Sequence, residues 1–313
     1  MEATDQLKYR FLVLGDSCRK AFEDDIGFDF VINLASETRC GHSDAVYEEG
    51  VYKLSINCAK EAAKQRVKRF VEISSAEFEC ESTTGLQESS PQLKPLTPLA
   101  KYKLKVENEL KEIQDLDYVV LRPALVYGMG DRISLMPRIV ISCVYKYLNE
   151  SMKLLWQKDH KLHTIHVQDL CSAVWFCCLN GKPNDIYNVV DMGDTTQGSL
   201  NQILCDIFDI HCDYWGNNMS KIIVKSKGIE ELVEEINEKH LLGWSELCGQ
   251  HNITNTPINP YLYKEMLQNY SLCLNGEKLK SLGFTHKRPK MTKELILEII
   301  KDYMEMQLFP KIL

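Results

Sequence analysis

The sequence lacks a long hydrophobic run, an excess of basic charge and a high content of glycine or proline. Its most apolar runs, at residues 119–127 and 173–179, are far shorter than the ~20 residues that a membrane helix needs. Lys plus Arg number 37 against 44 Asp plus Glu, a formal charge of −7, which argues against nucleic acid as a partner because phosphate binding requires clustered positive charge. Only 16 Gly and 10 Pro occur, which excludes collagen-like and low-complexity classes.

Cysteine pairs at metal-binding or redox spacing are also missing. Twelve cysteines occur, but none forms a CxxC pair, and Cys143 and Cys171 lie inside apolar runs, where a free cysteine behaves as a small hydrophobic residue. The first ten residues contain no apolar segment typical of a secretory signal. We therefore expect free thiols and a reducing, cytoplasmic compartment.

Three histidines spaced by three residues, His160, His163 and His166, resemble a metal-ligand pattern. Part of this stretch is predicted to be a strand, in which residues three apart point to opposite faces of the sheet. Their side chains then cannot converge on one ion. No metal site is predicted.

Short apolar runs alternate with helical patterns in the first half of the chain. Strands are predicted at residues 9–15, 28–35, 70–74 and 118–122, and the long helices at residues 44–65 and 99–113. This alternation is typical of a parallel sheet with helices on both faces, an α/β fold. Ligands of such sheets bind at the carboxyl ends of the strands, so the residues that follow each strand are the candidate site residues.

The second half of the chain is less regular. Helices are predicted at residues 138–148, 169–180 and 292–306, and strands at residues 162–167 and 186–190. We expect a Rossmann-like domain in residues 1–135, completed by the strand near residues 186–190. Residues 136–313 are expected to be mixed and mainly a C-terminal substrate lobe, and residues 82–98 the loosest part of the chain.

The segments after the predicted strands, and three later ones, resemble a known family. In chain order they read NLASET, ISSAEF, LRPALVYGMGD, IHVQDL, IYNVVD and KLKSLGF. Together they are similar to the extended short-chain dehydrogenase/reductases, the NAD-dependent epimerase/dehydratase family, and to the related 3β-hydroxysteroid dehydrogenases. The resemblance covers nearly the whole chain. It implies a Rossmann-type parallel sheet, here truncated at the N-terminus, and NAD or NADP chemistry on a nucleotide-sugar or sterol-like hydroxyl.

The cofactor cradle that the resemblance implies departs from the family pattern. The family holds the pyrophosphate at a GxxGxxG turn, and no such triplet occurs here; Gly15 is the early candidate, followed by Asp16, whose charge would repel a phosphate. Residues 9–15 are either the family's third strand or its first strand joined directly to the third helix, the alignment that we prefer. The other cofactor contacts that the resemblance implies are Leu34, Ala35, Ser74, Lys103, Pro123 and Val126.

The catalytic pattern that the resemblance implies is also incomplete. The family uses a tyrosine as general acid/base, a lysine four residues later and a serine or threonine. Lys103 matches the lysine, but Leu99 stands at the tyrosine position, and Tyr102 lies about 100° from Lys103 around the helix. Ser75 matches the serine and Glu77 lies two residues on. Ser75, Glu77 and Lys103 are the candidate catalytic residues, although Ser75 equally fits a loop cap and Glu77 a solvent-facing side chain.

Three functions follow from these patterns. The first is a degenerate family member, a pseudoenzyme that lacks the cradle and the tyrosine and acts through binding. The second is an active NAD(P)-dependent oxidoreductase or nucleotide-sugar epimerase with a rebuilt cofactor loop. The third is a non-enzymatic interaction protein whose exposed sheet edge pairs with a partner. A small-molecule hydroxyl substrate is expected if the chain is active, and the resemblance implies a homodimer through the two long helices.

Overall fold

The computed structural model describes residues 20, 22, 27–80, 84–269 and 271–312. The strands are β1 (Phe30–Asn33), β2 (Arg69–Ile73), β3 (Tyr118–Pro123), β4 (Leu125–Tyr127), β5 (Met152–Leu154), β6 (Thr164–His166), β7 (Asp185–Val189) and β8 (Cys212–Tyr214). The helices are α1 (Asp44–Tyr47), α2 (Leu54–Lys64), α3 (Pro98–Leu110), α4 (Met136–Leu148), α5 (Val167–Asn180), α6 (Gln197–Phe208), α7 (Gly216–Lys227), α8 (Ile229–Gln250), α9 (Glu277–Ser281) and α10 (Lys293–Glu305).

A parallel sheet of order β1-β2-β3-β7 forms the centre of the first half. Its register pairs Phe70 with Tyr118 and Leu121 with Tyr187. Side chains alternate between the two faces of each strand: Phe70 packs in the cluster that α2 and α3 cover, whereas Val71 and Leu121 pack in the cluster that α5 covers. Both faces are therefore buried, which explains the nearly continuous apolar strands.

A helical lobe follows the sheet in the chain. Its core brings together apolar side chains of α4, α6, α8 and α10. Helix α8 approaches α4 closely at Gly243, where a Cβ atom would lie 2.8 Å from Val144 Cγ1, so a larger residue there would force the two helices apart. Two short parallel pairs, β4 with β6 and β5 with β8, lie outside the main sheet.

The α/β fold with a parallel sheet is confirmed, but two segments differ from the expectation. The predicted helix at residues 44–65 contains a π-helical turn, Glu48–Lys53, between α1 and α2. Within this turn the carbonyl of Gly50 accepts the backbone N–H of Glu37 at 3.0 Å, an outside contact of the kind that widens a helix. Helices α7 and α8 fill a stretch that carried no helix prediction. The apolar side chains of α7 are half-buried or exposed, so this helix has no fully buried apolar face.

The predicted strand at residues 9–15 lies outside the described residues. Across the described part of the chain, helices are too short or too polar to cross a membrane. Residues 82–98, expected to be loose, include Leu86, which is buried and pairs with Leu274. That part of the segment is held by the C-terminal half of the chain.

Candidate functional site

A cleft of about 970 Å³, counting its open mouth, lies between the carboxyl edge of the sheet and the helical lobe. We call it the edge cleft. The sheet side contributes residues that follow β1, β2 and β3 and the start of α3, namely Thr38, Arg39, Cys40, Glu77, Leu99 and Leu125. The lobe side contributes Ile133, Ser134, Arg138, Leu162, Tyr263, Met266 and Leu272. Its position is the one at which parallel α/β sheets bind ligands.

Glu77 is the carboxyl group of the edge cleft. Its Oε2 accepts a hydrogen bond from Thr97 Oγ1 at 2.9 Å and a longer one from Ser75 Oγ at 3.4 Å. Thr97 Oγ1 also accepts the N–H of Ala100 at 3.1 Å and so caps the start of α3. Burial raises the pKa of Glu77, against the lowering effect of the Thr97 and Ser75 hydrogen bonds. A carboxyl in this state can hold or release a proton beside a ligand.

Cys40 stands in the same cleft as a protonated thiol. Burial, with the neighbouring charge of Glu77, raises the pKa of Cys40 to about 12. A nucleophilic thiolate would require the opposite shift. The Cys40 thiol therefore contributes a weakly polar, uncharged surface to the wall of the cleft.

Lys103 does not reach the edge cleft. The residue is 5% exposed, and its ammonium donates to Glu72 Oε1 at 3.0 Å and to the carbonyl of Ile73 at 2.6 Å. Glu72 is fully buried and also accepts from Asn33 Nδ2 at 2.6 Å and from Ser55 Oγ at 3.1 Å. This buried group fixes α3 to the first two strands. Of the three candidate catalytic residues, Ser75 and Glu77 share a hydrogen bond, whereas the Lys103 ammonium bonds Glu72 and the carbonyl of Ile73.

Leu99 lines the edge cleft one helical turn before Lys103. Its side chain packs with Tyr47 and Tyr102, whose rings stack 6.0 Å apart. Tyr102 is buried in this packing. The cleft wall is apolar at the position where the resemblance implies a tyrosine.

A second buried ion pair lies one turn further along α3. Glu107 accepts from Arg122 Nε at 3.0 Å and from its Nη2, and Ser74 Oγ donates to the same carboxylate. Arg122 and Glu107 are both nearly inaccessible to solvent. Ser74, a predicted cofactor contact, therefore has its hydroxyl committed inside the protein.

The remaining predicted cofactor contacts lie just after β1, at the end of β3 and in β4. Leu34 is 71% exposed and Ala35 is also exposed, just after β1. Pro123 ends β3, and Val126 pairs with Ile165 in the β4–β6 ribbon. Gly15 lies outside the described residues. These roles stay predictions.

The groups that would hold a nicotinamide ribose do not fit that task as the resemblance implies it. Such a ribose needs a hydroxyl at position 99 and a lysine ammonium turned toward the ligand. Position 99 is a leucine, and the Lys103 ammonium is held by Glu72 and Ile73. We therefore assign no reaction step to a nicotinamide cofactor.

A second cavity, of about 740 Å³ when its open mouth is counted, lies in the helical lobe and shares Arg138 and Met266 with the edge cleft. We call it the lobe cavity. His240 lines it, packs edge-on against Tyr145 at 5.6 Å, and has no hydrogen-bond partner for its buried Nδ1. Burial lowers the pKa of His240 to about 4, so this imidazole is neutral at physiological pH.

Sequence reasoning missed two features of the site. Glu72, the partner of Lys103, had a usable signal: it is a single acidic residue within the apolar strand RFVEI. The far wall of the edge cleft, which includes Tyr263, Met266 and Leu272, had none, because this part of the sequence has no helical or strand period. Trp244 belongs to the core of the helical lobe.

The sequence comparison identifies the family. Residues 9–190, more than half of the chain, match the NAD dependent epimerase/dehydratase family. The chain belongs to that family. Among curated proteins no match is found.

Several solved structures have the same fold. The UDP-N-acetylglucosamine 4-epimerase of Methanobrevibacter ruminantium, in complex with UDP-N-acetylmuramic acid, has a TM-score of 0.64 and 18% identity over 93% of this chain and 80% of its own. The dTDP-glucose 4,6-dehydratase of Streptomyces venezuelae, with NAD bound, has a TM-score of 0.63 and 17% identity over 92% and 77%. The UDP-glucose 4-epimerase of Thermus thermophilus, in complex with NAD, has a TM-score of 0.62 and 16% identity over 94% and 83%. At these identities the likeness shows the fold.

Proposed function

We propose that this chain is a family member that has lost the family's hydride transfer and acts by binding a small hydroxyl-bearing molecule in the edge cleft. The observation that carries the proposal is the pair of changes on α3. Leu99 lines the cleft where a proton-transferring tyrosine is expected, and the Lys103 ammonium is neutralised by Glu72 at 3.0 Å. A lysine in this state cannot lower the pKa of a group in the cleft.

Titration with NADH and NADPH, followed by cofactor fluorescence, tests the loss of redox chemistry. We expect no saturable signal at millimolar cofactor. Micromolar binding together with oxidation or reduction of any nucleotide sugar would contradict the proposal. UDP-glucose and dTDP-glucose are the first substrates to try, because related structures belong to enzymes of these sugars.

A gain-of-function variant sharpens this test. Leu99→Tyr alone should remain inactive, because the Lys103 ammonium still pairs with Glu72. Leu99→Tyr combined with Glu72→Gln frees the ammonium and is the variant in which oxidoreductase turnover would first be expected. Tyr102→Phe is the matched control, since Tyr102 packs away from the cleft. Turnover in Leu99→Tyr alone would show that the ion pair with Glu72 does not prevent Lys103 from acting in catalysis.

A second candidate function is proton transfer without hydride transfer. Glu77 supports it, because this carboxyl lines the cleft, has a raised pKa and is positioned by Thr97 at 2.9 Å. Such a protein would exchange an acidic C–H proton of a bound ketone with solvent. Deuterium uptake by the ketone in heavy water, lost in Glu77→Gln, is the measurement.

A further inference from the structure

Helix α7 exposes apolar side chains on the face that it turns to solvent. Met219 is 44% exposed and Ile222 is 60% exposed, whereas the buried position of the helix is the polar Ser220. A surface helix of a globular protein usually turns its apolar side chains toward the core. The apolar area that α7 leaves in water is therefore typical of an interaction surface.

Lysines occupy the same exposed part of α7. The helix contains three lysines and no acidic residue. Lys227 pairs with Glu235 on α8, but Lys221 and Lys225 are exposed and form no ion pair with any residue that the structure describes. We call the surface formed by Met219, Lys221, Ile222 and Lys225 the basic face.

Helix α8 carries a surface of the opposite charge. Glu234, Glu238 and Leu242 are exposed at spacings of four and so lie along one side of the helix. Leu242 is 61% exposed and the neighbouring Leu241 is 40% exposed. Across the described ranges of the chain, neither glutamate has an ion-pair partner. We call the surface formed by Glu234, Glu238, Leu241 and Leu242 the acidic face.

The two faces match in spacing as well as in charge. In an antiparallel arrangement of α7 on α8, placing Lys225 opposite Glu234 sets the register. Lys221 then lies opposite Glu238, because four residues advance about 6 Å along either helix. Beyond these pairs, the apolar residues of α7 meet the exposed leucines of α8. A parallel arrangement does not bring them together, since α7 ends at Lys227 before the leucines are reached.

We propose that the basic face of α7 binds the acidic face of α8 in a second copy of this chain, and that a two-fold axis repeats the contact. Each copy supplies both faces, so a dimer satisfies both. The surface is separate from the two long helices at residues 44–65 and 99–113, and the inference does not depend on a ligand of the edge cleft. An anionic lipid surface would suit the lysines but would leave the acidic face without a partner.

Sedimentation equilibrium of charge-reversed variants tests the contact at physiological ionic strength. We expect the natural chain to dimerise. Lys221→Glu with Lys225→Glu, and separately Glu234→Lys with Glu238→Lys, should each raise the dissociation constant by at least about tenfold, because like charges then face each other. An equal mixture of the two double variants should dimerise as the natural chain does, since every contact again joins lysine to glutamate.

A matched pair of lysines on α3 provides the control. Lys101 and Lys105 are also exposed and one helical turn apart, and they lie on one of the two long helices. Lys101→Glu with Lys105→Glu should leave the dissociation constant unchanged, and circular dichroism verifies that all variants fold. Dimers that persist in both α7 and α8 variants would overturn the proposal, and so would a mixture that fails to restore them.

A leucine variant tests the apolar part of the contact. Leu242→Asn should weaken the dimer by about tenfold, because the leucine no longer leaves water on association. Leu179→Asn is its control, since Leu179 is 57% exposed on α5. Equal effects of the two variants would contradict the proposed surface. A natural chain that stays monomeric up to its solubility limit overturns the proposal, whether or not it binds phosphatidylserine vesicles.

Discussion

The layer beneath the edge cleft and the two cavities above it bury titratable groups in different ways. Beneath the cleft, charges are buried in pairs, Glu72 with Lys103 and Glu107 with Arg122. In the cavities burial favours neutral forms: the pKa of Glu77 is raised and that of His240 is lowered to about 4. The difference teaches that the permanent charges near the site serve to hold α3 on the sheet. Glu77 and His240, by contrast, face their cavities as groups that burial favours in the uncharged form.

Breaking a buried pair gives the largest expected effect. Arg122→Met leaves the Glu107 carboxylate buried without its bidentate partner, and we expect a loss of about 3–5 kcal/mol in the free energy of unfolding. Urea denaturation at pH 7 measures it, and adding Glu107→Leu should recover most of the loss. Lys101→Met is the control, because the Lys101–Asp44 pair is 57% and 64% exposed and its removal should leave the midpoint unchanged. Equal urea midpoints for Arg122→Met and Lys101→Met would contradict the prediction that the buried ion pair contributes more stability than the surface pair.

The neutral histidine of the lobe cavity gives the next effect, and it depends on pH. The unfolded chain takes up a proton on His240 near the ordinary value of 6.5, but the folded chain does so only near 4. Stability contributed by the neutral ring is therefore present above pH 6.5 and is lost as pH falls toward 4, by about 3 kcal/mol. His240→Phe should resist this loss. If the urea midpoints of wild type and variant fall in parallel between pH 7 and pH 4, the loss of stability does not come from His240 and the prediction is wrong.

Glu77 gives the smallest expected effect on stability, and its pH dependence is opposite to that of His240. Because its folded pKa is raised, its contribution to stability is present at low pH and is lost as pH rises through the folded pKa. Glu77→Gln should match wild type near pH 4 and exceed it slightly near pH 8, since Thr97 and Ser75 offset part of the burial cost. Thermal unfolding at both pH values measures the crossover. A variant less stable than wild type at pH 8 would mean that the ionised form is the favoured one.

Much of the sheet could be predicted from short apolar segments. The strands at residues 70–74 and 118–122 are observed as Arg69–Ile73 and Tyr118–Pro123, because a strand buried on both faces must be apolar at nearly every position. The order of motifs after the strands predicted the family. Lys103 and Glu107 could be placed on one face of α3 from their spacing of four.

The side-chain contacts that determine which groups are available to a ligand could not be predicted from local sequence patterns. Lys103 meets Glu72 from 31 residues away, and Thr97 meets Glu77 from 20 residues away. Such pairings depend on the depth at which a helix lies on the sheet, which no local pattern records. The apolar wall formed by Met266 and Leu272 comes from a non-periodic segment, so its side of the cleft becomes visible only in the folded chain.

Thr97 links two parts of the molecule through one hydroxyl. Its Oγ1 donates to Glu77 in the edge cleft and accepts the amide of Ala100 at the start of α3. A molecule that moves the Glu77 carboxyl away from Thr97 breaks the hydrogen bond that the Thr97 hydroxyl donates. We expect this loss to change the strength of the hydrogen bond that Thr97 accepts from the Ala100 amide, and therefore the rate at which that amide exchanges with solvent. The hydrogen-exchange rate of this single amide is thus a built-in reporter of occupancy, readable before the natural ligand is known.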